Sequence, residues 1–185
     1  MPDSRPEQLD AVDRIVAQWA RERPELDTRP MGVVGRLHRL ADLLDAGLRP
    51  VFAEVDLGNG DFDVLATLRR AGPPFRLTAG ELAASTMVTS GAVTKRIDRL
   101  ESKGLVERSV SASDARGREI RLTPEGRRLT DEVVVRHWEN EDRLLAALDP
   151  DERDQLTGLL RKLLLDVEGP AASPVDSQRR GEPPG

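Results

Sequence analysis

The most constraining stretch of this chain is Thr78 to Leu129, where two short helix signals are followed at once by two alternating strands and a new helix start. Thr78 with Glu81 three residues on has the capping-box spacing, so a short helix is expected from there to about Ser85. Thr89 or Ser90 can cap a second helix running to about Lys103, and Gly104 sits where a helix C-terminus requires a left-handed residue. LVERSV (105–110) and REIRLT (118–123) alternate as short strands, and SASDARG (111–117) between them reads as a polar hairpin loop. Thr123-Pro124 then opens a long helix with proline at its first position. The order is helix, turn, helix, strand, loop, strand. The fold class expected is therefore mainly α with a small β-wing, a winged helix-turn-helix.

Around this head the pattern is helical. Leu9, Val12, Val16 and Trp19 make an apolar stripe over residues 6–21, and Val34, Leu37, Ala41, Leu44, Leu48, Val51, Phe52 and Val55 make another from Met31 to Val55, with Gly47 and Pro50 as candidate kinks. LGNG (57–60) is a break, Phe62–Arg70 a short helix, and AGPP (71–74) a terminator. Leu129, Val133, His137, Leu144 and Leu148 stripe the helix after Pro124; Leu156, Leu159, Leu160, Leu163, Leu164 and Val167 stripe a last one after Asp149-Pro150. The tail after Gly169 is rich in Pro, Gly and Ser and is expected to be disordered. These stripes exceed what one small core needs, so a homodimer joined through the N- and C-terminal helices is expected. The organisation expected is 1–57 (extra helix and dimerisation helix), 58–123 (reading head), 124–168 (C-terminal dimerisation helices) and 169–185 (tail).

Composition narrows the chemistry. With no cysteine, disulfides, thiol redox sensing and thiolate metal sites are excluded, and two histidines make a metal cluster an unpromising reading. No cofactor or metal is expected. No nucleophile elbow or phosphate-cradling glycine loop is present, so an enzyme is not expected either. The absence of a membrane-length apolar run and of a signal-peptide pattern leads to a cytoplasmic, non-membrane expectation. The total charge is −5, but Thr78–Arg128 holds ten Lys/Arg against seven Asp/Glu, a balance of +3 that leaves −8 on the rest. A basic segment on an acidic body suits double-stranded DNA, because phosphate attraction is local at physiological salt.

Faces of the second head helix separate the roles. Val93, Ile97 and Leu100 are spaced to define its buried side, with Gly91, Lys95 and Asp98 opposite. Ser90, Thr94, Lys95 and Arg99 are the candidate DNA contacts there, with Arg116 at the hairpin tip suited to a narrow minor groove and Arg118 just beyond it. Arg96 falls between the two faces, along the seam with the scaffold, where a half-buried cation needs a partner. Asp63 can supply one, either as a simple salt bridge or as part of a ligand site.

The residues 90–129 closely resemble the core of the MarR family of winged-helix regulators. The resemblance rests on Thr94, Arg99-Leu100-Glu101, Lys103-Gly104-Leu105-Val106, Glu107-Arg108, Asp114-x-Arg116 and Leu122-Thr123-Pro124-x-Gly126. It implies a homodimer that places one helix per subunit in a major groove and one wing in a minor groove. A narrower resemblance to the urate-responsive branch (PecS-, HucR- and TamR-like proteins, with an extra N-terminal helix) falls on Trp19, His38, Asp63 and Arg96. It implies that an anionic ligand engages Arg96 and perturbs Asp63, with Trp19 stacking over it and His38 at its polar edge, so that DNA is released. Taken singly, Trp19 and His38 also fit as core residues. The expected function is thus a ligand-responsive transcriptional repressor released by a small anion such as urate. A phenolic acid or a tricarboxylate such as citrate or aconitate is the other ligand class, and a protein-interaction module the other use of the fold.

Overall fold

A computed structural model describes residues 8–86, 90–110 and 118–169, with backbone only at Ser90, Gly91, Ala92 and Val110. The chain divides into two compact units, 1–144 and 145–185. The first holds α1 (Ala11–Glu22), α2 (Arg29–Ala53), α3 (Asn59–Arg70), α4 (Ala79–Ser85), α5 (Ser90–Ser102) and α6 (Pro124–Leu144), with a sheet of β1 (Arg76–Thr78), β2 (Val106–Val110) and β3 (Arg118–Leu122) packed against α3 to α6. The sheet is antiparallel in the order β1-β3-β2, with Leu77 opposite Ile120 and Val106 opposite Leu122. The first strand was not expected from the sequence. Three residues are too few to show an alternation, and β1 exists because its main chain pairs with β3.

The core gathers Phe52, Phe62, Val64, Leu65, Leu68, Leu82, Val93, Ile97, Leu100, Ile120 and Val133 around α3. Local chemistry sets the ends of the elements. Asp10 accepts from the Val12 and Asp13 N–H groups, so α1 begins at Ala11 and not near residue 6. Thr78 and Glu81 form the expected capping box on α4. Helix α2 runs on through Pro50; a few residues before it, α2 comes close to α6, where a Cβ on Gly47 would lie 2.9 Å from Leu144 Cδ2 and Asn140 donates to the Gly47 carbonyl at 3.0 Å. Helix α1 is held on α2 by Val12 against Gly35 and by Arg36, which donates to Asp10 at 2.9 Å and Asp13 at 2.6 Å.

The second unit holds α7 (Pro150–Glu168), capped by Asp149 with Glu152 as expected. Its stripe is exposed throughout: Leu156, Leu159, Leu160, Leu163, Leu164 and Val167 all face outward, as do Leu9, Ile15, Val33, Val34, Leu40 and Leu43 of the first unit. The loop 111–117, with Asp114 and Arg116, and the tail from 170 onward lie outside the described residues. No helix among the described residues is long and apolar enough to cross a membrane.

Candidate nucleic-acid interface

Helix α5 has the division of faces its spacing predicts. Val93, Ile97 and Leu100 are buried, and Thr94, Lys95, Asp98 and Arg99 are exposed. Ser90 lies in the first turn of α5, described by its backbone alone; Arg116 lies outside the described residues, and Arg118 is exposed at the start of β3. The end of α5 is closed by two hydrogen bonds, Gly104 N–H to Glu101 O at 2.9 Å and Leu105 N–H to Leu100 O at 3.0 Å, with Gly104 at φ 69°. This is the paired closure that a glycine at that position allows.

The join to α6 explains why Thr123-Pro124-Glu125-Gly126 reads as it does. Thr123 N–H donates to Leu105 O at 3.1 Å, its hydroxyl lies 2.7 Å from Gly104 O, and its oxygen accepts from the Gly126 N–H at 2.9 Å. A Cβ on Gly126 would lie 1.9 Å from Leu105 O, so only glycine lets α6 begin against that carbonyl.

Ion pairs fix α5 to its surroundings. Arg108 of β2 pairs with both Asp98 and Glu101. It thereby offsets the charge of two acids beside the outward face. Lys103 donates to Asp56 at 2.7 Å. Arg99 pairs with Asp61 of α3, which is 2 % exposed, through Nε at 3.2 Å and through Nη2. Asp61 also accepts from the Gly58 N–H at 2.9 Å at the start of α3. The hydrogen bond to Asp61 holds the Arg99 guanidinium above its ordinary pKa. The expected DNA contact at Arg99 is therefore tied by one edge to the scaffold, through an acid two residues before Asp63. From the sequence, Arg108 stands out only as part of the family resemblance and Asp61 not at all. In the sequence Asp61 falls between the LGNG break and the Phe62–Arg70 helix, and only the fold shows that it is a buried first-turn acid.

Behind the outward face, Arg96 is half-buried against the backbone of α3. A Cβ on Gly60 would lie 2.0 Å from Arg96 Cζ, so the guanidinium rests on a surface only glycine provides. Its Nη1 is buried without a hydrogen-bond partner. Asp63, half-buried, stands one turn further along α3 from Gly60. Trp19 on α1 is 49 % exposed, and His38 on α2 is exposed. The structure thus brings Asp63 and Arg96 to the packed helices α3 and α5, and Trp19 and His38 to the packed pair α1 and α2. Neither Trp19 nor His38 is a core residue. The histidine that packs on the core rings is the half-buried His137, tilted against Phe52 and edge-on to Phe62 at centroid distances of 5.3 and 5.0 Å.

Comparison with known proteins agrees with this architecture. A family model described as MarR family matches residues 55–117. The chain is 40% identical over 152 residues to the HTH-type transcriptional regulator PecS of Dickeya dadantii, covering 82% of this chain and 92% of that protein. The structure resembles Bordetella bronchiseptica BpsR, solved in a study of how 6-hydroxynicotinic acid regulates its DNA binding, with TM-score 0.65 at 27% identity over 71% of this chain and 92% of that one. It also resembles a variant of E. coli MarR complexed with operator DNA, with TM-score 0.63 at 30% identity over 79% of this chain and 97% of that one. These relatives are regulators and not enzymes. A buried-backed helix with a basic outer face, closed onto a three-stranded sheet and matched by PecS along most of its length, makes this chain a DNA-binding transcriptional regulator of the MarR family.

Proposed function

We propose that the chain is a repressor that binds a pseudo-palindromic operator as a homodimer and leaves it when a small anionic ligand such as urate engages Arg96. The observation that carries the ligand reading is the Arg96 Nη1, a buried cationic donor with no partner. Leaving such a group unsatisfied costs on the order of 1–3 kcal/mol or more, a cost that an anion would relieve. Asp63 then supplies the charge that an incoming anion perturbs, and the exposed Trp19 and His38 are available to stack over the ligand and to hydrogen-bond its edge. DNA contacts are assigned to Ser90, Thr94, Lys95, Arg99, Arg116 and Arg118. The exposed leucines of α7 and the exposed apolar side chains of α1 and α2 are the surfaces that a second copy covers. Dimer symmetry sets half-sites about one helical turn apart.

Release follows from linkage: a ligand that prefers the arrangement incompetent for DNA lowers DNA affinity by the same factor, about 5- to 150-fold for typical couplings. A second ligand class is favoured by one observation, the regulation of BpsR by a hydroxylated aromatic carboxylate. A thermal-shift screen of urate, phenolic acids, citrate and aconitate, repeated with a bound duplex, tests both. The anion that raises the melting point of the free protein and weakens DNA binding is the ligand class. If none of them changes either quantity, Arg96 is not a sensor for this set.

A further inference from the structure

Resting on the reading that α5 faces DNA, we propose that Asp61 is a positioning residue for DNA binding, holding the Nε and Nη2 edge of Arg99 so that Nη1 is presented to an operator phosphate.

The carboxylate is anchored from behind. Asp61 is the third residue of α3, where the helix dipole favours an anion, and its Oδ2 accepts the Gly58 N–H at 2.9 Å. Being 2 % exposed, it is no mobile surface acid, and it needs a cation to offset its burial. Arg99 meets that need through Oδ1 alone, with Nε and Nη2 on the same oxygen. The far side of the guanidinium stays in water, with the Arg99 side chain 52 % exposed. Arg99 is also four residues after the exposed Lys95, so both cations lie along one side of α5. A free arginine loses rotamer freedom when it grips a phosphate; one already clamped by a fixed acid has lost it beforehand, an advantage of about tenfold for each such arginine.

The opposite role makes the opposite prediction. If Asp61 competed with phosphate for Arg99, removing its charge would tighten DNA binding. The experiment is anisotropy of a labelled duplex, selected from a random-sequence pool by the wild-type chain, titrated with full-length variants across a salt series. Asp61→Asn is expected to weaken binding about tenfold without reducing the dependence on salt, despite making the protein less negative. Arg99→Ala is expected to weaken it at least as much and to lower the slope of log K against log salt by about 0.9 for each phosphate it no longer neutralises. The double variant is expected to bind within about twofold of Arg99→Ala, because both changes remove one arrangement.

Equal or tighter binding by Asp61→Asn, or full additivity in the double variant, overturns the proposal. Thermal melting of each variant reports folding. Should Asp61→Asn not fold, Arg99→Lys takes its place, since lysine keeps the charge but has no second edge. It is expected to bind about tenfold weaker with an unchanged salt slope, and wild-type affinity would overturn the proposal. Lys95→Ala and Thr94→Ala separate the two levels. If neither weakens binding, the α5 reading itself fails; if they do and Asp61→Asn does not, only the positioning role fails.

Discussion

Gly126→Ala is the substitution for which intrinsic propensity and structure disagree most. On propensity alone, alanine in a helix gains about 0.5–1 kcal/mol over glycine. Here the added methyl would sit 1.9 Å from Leu105 O, 2.8 Å from its carbonyl carbon and 3.1 Å from its Cα, all backbone atoms that cannot rotate away. Helix α6 must move outward by more than an ångström to relieve this. The shift strains the Thr123 N–H bond to Leu105 O and the Thr123 oxygen cap on Gly126, each worth about 1 kcal/mol. Overpacking of this kind costs about 1–3 kcal/mol more. After the propensity gain is subtracted, a net loss of about 2–4 kcal/mol remains, or a melting point lower by roughly 5–15 °C for a chain of this size. Because Leu105 also closes α5, DNA affinity should fall with stability. Differential scanning calorimetry against Gly80→Ala makes the comparison clean, since nothing lies within 4 Å of a Cβ at Gly80. That control should be neutral or slightly stabilising. A Gly126→Ala protein as stable as the control would refute the close-approach reasoning.

Other outcomes follow from the same geometry. Gly60→Ala should displace the Arg96 side chain, the flexible partner in that contact, and alter the response to anions while costing little stability; anisotropy with and without urate reads the first and calorimetry the second. Asp149→Ala removes the α7 cap and should cost about 1 kcal/mol, seen in urea unfolding. The Asp10 carboxyl is held below its ordinary pKa, chiefly by the Asp13 N–H and further by the Val12 N–H and Arg36. Its folded value is depressed, so its contribution is complete above the ordinary value of 3.8 and is lost as pH falls through the lower folded one. Attachment of α1 should therefore be constant through neutral pH and weaken only below about pH 4, which Trp19 emission in a Trp138→Phe background can follow.

Much of the head is legible in the sequence because its signals are local. The capping box at Thr78, the Gly104 closure and the Val93–Ile97–Leu100 face each depend on residues within one or two turns, as does the Asp149 box of α7 outside the head. What the sequence hides is pairing between distant segments. Asp61 and Arg99 are thirty-eight residues apart, and β1 exists only through β3. Apolar stripes carry a different ambiguity. Those of α1, α2 and α7 show where water is unwelcome without saying what covers them; Val12 is covered within the chain, whereas Leu9, Trp19 and the α7 leucines are not. His137 and His38 show the same limit. Both lie on apolar stripes, yet one packs half-buried against Phe52 and Phe62 and the other faces outward.

Because the DNA contacts proposed for α5 lie on its outer face and the half-buried Arg96 lies behind them, the most direct test separates these two roles in one titration. A labelled operator duplex bound by the wild-type chain is titrated with urate, and the same is done with Arg96→Ala. The wild-type complex should dissociate with an affinity loss of about 5- to 150-fold, while Arg96→Ala binds DNA within about twofold of wild type and does not respond. Parallel release of both proteins, or loss of DNA binding by Arg96→Ala in the absence of urate, would contradict the division of α5 into a reading face and a sensing face.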